Sequence, residues 1–120
     1  MPCKLKNEFG TITIENEVVA RIAGMAAMDC YGIVGMAAKN VKDGIVQLLK
    51  LESVTKGVRL TIDATHAAVV IDLHIIVEYG TNIAAIGETL VSTVKYRVEE
   101  YTGLRVDQIN IFVEGVRVDG

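Results

Sequence analysis

A chain of 120 residues is the size of one domain and can bury a core without disulfide or metal staples. A net charge of -3, with cations scattered singly, argues against a polyanion partner, and 5% aromatic residues without tryptophan leave few parts for stacking bases. The 51% hydrophobic content and mean hydropathy of +0.38 raise the question of a membrane span, but the longest unbroken apolar stretch, Ala67 to Ile71, has five residues against the roughly 20 a spanning helix needs. The surplus is therefore expected in a core, a subunit interface, or both. No cationic leader with an apolar block precedes Gly10, so secretion is not expected, and Cys3 and Cys30, without CxxC or metal-ligand spacing, read as free thiols of a reducing compartment.

Residues 1–9 read as a loose N-terminus. Thr11 to Ile14 alternates in the period-2 manner of a half-buried strand. Glu15, Asn16 and Glu17 set acidic and capping side chains at the start of a helix running to about Asp29, with Val18, Ile22, Met25 and Ala26 expected as its buried stripe. Tyr31 to Met36 carries two glycines around an apolar pair and predicts a tight, packed turn. A short helix is expected over Val41 to Leu51, with Ile45, Leu48 and Leu49 inward, against a cost of about 1 kcal/mol for Gly44.

Val58 to Asp63 and Val69 to Tyr79 predict a strand hairpin joined through Ala64 to Ala68. In the second strand the odd positions are apolar or aromatic throughout, and the even ones are mixed. From Asn82 to Tyr101 the pattern is helical, with Ile83, Ile86, Leu90, Val94, Val98 and Tyr101 on one face and Thr102-Gly103 as its stop. A last strand follows from Ile109, and Gly115 within it reads as a bulge.

The expected fold is a single α+β domain over 1–120, ordered β-α-(α)-β-β-α-β, with a four-stranded sheet and the helices mainly on one face, as in a split βαβ or ferredoxin-like arrangement. The second sheet face would carry Thr11, Thr13, Arg59, Thr61, Asp63, Asp72, His74, Glu78, Asn110 and Glu114, with Val70, Ile76 and Phe112 among them.

Three constellations could carry function. The sheet face is used by RNA-recognition modules, but one phenylalanine among acids lacks their stacking and cationic parts. Gly32, Ile33, Val34 and Gly35 have the GxxG spacing of KH phosphate clamps, yet apolar middle residues favour a packed turn over a clamp. Asp72, His74 and Glu78 share a strand face and could chelate a metal if a third ligand converged; a solvated polar face is the simpler reading, and His66 could approach only through the hairpin loop. No Ser, Cys or Lys stands beside a histidine with an orienting carboxylate, so no catalytic residue is assigned and neither a cofactor nor a metal is expected. What remains is apolar surface: Val70, Ile76 and Phe112, and an edge such as Val116 to Val118, which predict homo-oligomerisation or a protein partner.

Three blocks, GTITIENEVVARIAG (Gly10 to Gly24), YGIVGM (Tyr31 to Met36) and INIFVEGVRV (Ile109 to Val118), resemble the alkaline shock protein family of Gram-positive bacteria. The resemblance extends through AAMDCYGIVGMAAKNVKDG (Ala26 to Gly44) and is nearest to the small YloU-like branch. It implies a non-enzymatic protein of envelope stress response and homeostasis, cytoplasmic, acting as adaptor or scaffold. It also implies protein partners: a membrane anchor protein, or a lipid-metabolism kinase of the dihydroxyacetone or fatty-acid type. The resemblance brings no catalytic residues, and a KH-like or sheet-face RNA-binding module is the alternative.

Overall fold

The computed structural model describes residues 3–39, 44–63 and 65–118. It is an α+β fold whose elements are β1 (Cys3–Asn7), β2 (Gly10–Ile14), α1 (Asn16–Met28), β3 (Ile33–Lys39), β4 (Val46–Leu48), a 3-10 segment (Leu51–Gly57), β5 (Val58–Asp63), β6 (Ala68–Glu78), α2 (Ile83–Thr102) and β7 (Arg105–Arg117).

β6 is the axis of the five-stranded sheet. Along one edge it pairs antiparallel first with β5 (Val58 opposite Leu73 to Asp63 opposite Ala68) and then with β3 (Met36 opposite Ile75). Along its other edge β7 runs parallel for the full length, Ala68 beside Arg105 to Glu78 beside Arg117. A parallel pair needs a crossover, and α2 supplies it. The odd residues Val69, Ile71, Leu73, Ile75 and Val77 are all buried under the helices, while the even residues from Val70 to Glu78 are half-buried on the opposite face. This strict alternation is the pleat of the strand expressed as burial.

The middle of α2 packs as its period dictates, with Ile86, Leu90, Val94 and Val98 inward, whereas Ile83 and Tyr101, expected on the same face, lie in its first and last turns and are exposed; Gly103, at φ 74°, closes the helix through a bond to Glu99 O. α1 packs differently from the expected stripe. Val18 and Met25 are exposed and Ile22 only partly buried, while Val19, Ala20, Ala23, Gly24, Ala26 and Ala27 face the core. Small residues win that face because the 3-10 segment comes so close: a Cβ at Gly24 would lie 3.1 Å from Val54 Cγ2. Arg97 of α2 pairs with Asp29 at the end of α1 and ties the two helices at the surface.

Three expectations change in detail. Residues 3–7, expected as part of a loose N-terminus, form β1, and β2 pairs with β1 in a separate two-stranded hairpin instead of entering the main sheet. Lys4, Leu5 and Lys6 alternate as well as Thr11 to Ile14 does, so the two segments satisfy each other's backbone. The short helix over 41–51 is absent from 44–50, and Leu51 opens the 3-10 segment; positions 41–43 lie outside the described residues. Gly44 takes φ +70°, which stops a helix, and the following Val46–Leu48 pairs with Ala37, Ala38 and Lys39, leaving Ile45 and Leu48 exposed and Leu49 half-buried. β4 and β3 thereby take the sheet places expected of the first strand.

The β5–β6 turn is organised by Asp63, whose Oδ1 accepts from the backbone N–H of Thr65 (3.1 Å) and His66 (3.3 Å) while Oδ2 meets His66 Nδ1 at 2.7 Å. The His66 side-chain bond, first among the causes, holds the Asp63 carboxyl below its ordinary value. Such a group stabilises the fold above the unfolded carboxylate value of about 4, and that contribution fades as pH falls through the lower folded value. At this exposed site the effect on stability is small. An NMR titration is expected to place the Asp63 midpoint below that of a free aspartate; a midpoint at or above it would contradict the turn geometry.

Candidate functional site

The even face of β6 and its neighbours on β7 carry the candidate surface. β6 and β7 are parallel, and from Val70 to Ile75 residues of the same parity stand side by side, so that across the pair side chains 38 to 40 residues apart meet in a ladder. Asn110 Nδ2 donates to Asp72 Oδ1 at 2.9 Å. The His74 ring stacks on Phe112, centroids 4.8 Å apart and planes 13° from parallel, while its Nδ1 lies 3.2 Å from Glu114 Oε1. Arg117 Nη2 donates to Glu78 Oε1 at 2.6 Å. Glu114 reaches His74 because the register shifts between Val113 and Gly115, the bulge foreseen at the glycine.

This pairing bears on the candidate metal ligands. Asp72, His74 and Glu78 do share a face, but each is engaged by a different residue of β7. His66 is tied to Asp63 in the β5–β6 turn. Among the described residues no three His, Cys, Asp or Glu side chains gather as a metal site. Cys30 is buried, with its thiol 3.6 Å from Ala26 O.

The Gly32 to Gly35 segment is divided between a turn and a strand. Gly32 sits at φ +86° directly beneath Ile86, its carbonyl accepts from Glu78 N–H at 3.0 Å, and Ile33 already begins β3. Ile33 and Val34 are half-buried and Gly35 is buried, set in register with Ile76. Its backbone is therefore committed to the sheet instead of being presented as a phosphate clamp. A Cβ on Gly35 would meet Leu48 Cδ1 at 2.8 Å, so the second glycine answers a close approach.

Register brings Gly35 beside Ile76, and Ile76 beside Gly115, so a half-buried isoleucine stands in a row between two glycines. Val70 is half-buried lower on the same face, and Phe112 is 44% exposed. Thr11 and Thr13, expected on this face, belong to the β1–β2 hairpin instead. Sequence reasoning missed the exposed stripe of α1, Val18 and Met25 beside Ile22; the run of alanines on its opposite side was the available signal. A cleft of about 420 Å³ opens at the start of β5, where Lys56, Arg59 and His74 face Asn16 and Glu17. A Glu17–Arg21 pair at 3.6 Å lies along the exposed side of α1.

No helix among the described residues is long and apolar enough to cross a membrane. Residues 4–118 match the profile of the alkaline shock protein 23 family, described as having a cell envelope-related function. The chain is 46% identical over 119 residues to the uncharacterized protein YloU of Bacillus subtilis, covering 98% of each chain. It is 31% identical over 121 residues to the uncharacterized protein Spy1614 of Streptococcus pyogenes, covering 100% of this chain and 98% of the other. A stress response regulator gls24 homolog of Streptococcus pyogenes is 30% identical over 111 residues, 90% of this chain and 59% of that protein. None of these names carries an enzymatic activity, and no solved structure matches. The profile covers nearly the whole chain and the most extensive of these matches run end to end, so the chain belongs to the alkaline shock protein 23 family, whose function is related to the cell envelope.

Proposed function

We propose that the protein is a non-enzymatic adaptor of envelope stress homeostasis that works through self-association and protein partners. The observation that supports this most is the state of the open sheet face. Asp72, His74, Glu78 and Glu114 are each bonded to a neighbour across the β6–β7 pair, which leaves the apolar side chains Val70, Ile76 and Phe112 as what the centre of the surface offers. Paired charges around an apolar centre suit a protein surface, where unpaired buried charge is costly and aromatic anchors dominate. The protein acts in the cytoplasm, and it reaches the membrane through an anchoring partner. A kinase of lipid metabolism is the further partner class that the family resemblance implies.

The test is complementation in cells lacking the gene and grown under cell-wall stress. The variants Val70→Lys and Phe112→Lys, combined, are expected to leave circular dichroism unchanged, since both side chains reach solvent, while failing to restore growth. Full restoration by that folded double variant would remove the open face from the function.

A further inference from the structure

β7 is the longest strand of the fold and pairs on one side only: β6 takes one edge, and among the described residues no strand takes the other. A free edge of this length presents a row of backbone donors and acceptors whose natural partner is another strand. Within it, Gln108 to Val113 is uncharged and rich in β-branched and aromatic residues, and it runs without a register shift, because the two shifts fall outside it at Asp107 and Glu114. Charge is confined to the ends, with Arg105 and Asp107 at one and Glu114 and Arg117 at the other.

That pattern selects an orientation. Parallel pairing of two copies would set like charges together at both ends. Antiparallel pairing about a two-fold axis sets the Arg105–Asp107 end of one copy against the Glu114–Arg117 end of the other, and does so twice. With Phe112 opposite Phe112 at the axis, Ile111 stands opposite Val113, and beyond the extra residue at Glu114 the Arg117 of one copy comes near the Asp107 of the other. Phe112 is 44% exposed and Val113 37% exposed in the single chain, so both have surface left to bury. Arg117 keeps its contact with Glu78, and the new neighbour extends that ion pair into a three-membered network.

We infer that the occupant of the β7 edge is the β7 edge of a second copy, joined antiparallel so that two five-stranded sheets become one continuous sheet with Phe112 at its two-fold centre. This gives the self-association in the proposed function a surface, and it rests on that reading. The dimer doubles the open face, presenting two sets of Val70, Ile76 and Phe112 side by side to a partner.

The experiment combines light scattering with cysteine cross-linking. In a Cys3→Ser background, Phe112→Cys is expected to give a disulfide-linked dimer under mild oxidation, whereas Tyr96→Cys, 67% exposed on α2, stays monomeric on denaturing gels. Hydrogen exchange of the amides between 108 and 113 should slow as protein concentration rises. An oligomer by mass that neither cross-links at 112 nor gains that protection would overturn the edge assignment while leaving self-association standing. A monomer at every concentration would overturn both, and the adaptor role would then stand on the complementation result alone.

Discussion

Leu90→Ala is expected to lower the stability of the fold by about 3 kcal/mol or more, the cost of a large-to-small change at a site that cannot collapse. Leu90 is 0% exposed and sits mid-way along the α2 stripe, between Ile86 and Val94. Beneath it the odd residues of β6 are equally sealed, with Ile71 and Leu73 at 0%. The contact between helix and strand is filled from both sides by fully buried side chains, so the cavity stays open. Thermal or denaturant unfolding measures the loss directly; for a domain of this size the midpoint should fall by roughly 10 °C or more. A change below about 1 kcal/mol would mean that α2 is not seated on β6 as described.

Gly32→Val carries the second large effect. At φ +86° a residue with a Cβ costs about 1–2 kcal/mol, and a β-branched one is a genuine outlier. The added Cβ would also lie 2.5 Å from Ile86 Cδ1 and 3.0 Å from its Cγ1, so the end of the Ile86 side chain must move from its packed position. The two costs together are expected to reach about 3 kcal/mol. Gly44→Val is the control: φ is +70° there too, but among the described residues nothing lies within 4 Å of the new Cβ, so only the backbone cost applies. If the two substitutions cost the same in a melting experiment, the packing of Ile86 over the turn is not what holds it. The comparison also matters for function, since a defect in Gly32 variants follows from lost packing and not from a lost ligand contact.

The parts of the fold that could be read from the sequence are those where side chains repeat with one period against one neighbour. The odd positions of β6 and the stripe Ile86, Leu90, Val94, Val98 are of this kind, and so is the bulge at Gly115. α1 misled because burial there follows smallness: Ala20, Ala23 and Gly24 admit Val54 and the second helix, and the larger Val18 and Met25 are turned outward. Hydrophobic periodicity marks two apolar stripes on that helix and does not say which meets the core. β3 and β4 were hidden for a different reason. Their pairing joins short segments whose partners lie across a loop, and a stretch such as Ile33 to Met36 satisfies a packed turn and a strand end equally well.

The candidate surface was legible to the extent that parity determines it. Val70, His74, Ile76 and Phe112 share a face because β6 and β7 alternate, and the sequence shows the alternation. What parity cannot supply is register. That His74 stacks on Phe112 and reaches Glu114, or that Ile76 stands between Gly35 and Gly115, depends on alignment between strands distant in the chain. Those alignments bond Asp72, His74 and Glu78, the prospective metal ligands, each to a residue of β7, and they leave Val70, Ile76 and Phe112 as the apolar remainder of the face.

The central claim, that the open face acts by meeting a protein, is tested most directly by binding of the purified chain to membrane vesicles prepared from cells under wall stress. Three samples are compared: intact vesicles, vesicles stripped with protease, and vesicles of the extracted lipids alone. The account predicts binding to intact vesicles that is lost on protease treatment, absent from the lipids, and absent in the Val70→Lys, Phe112→Lys variant. Binding of equal strength to lipid alone, or binding indifferent to both substitutions, would contradict it.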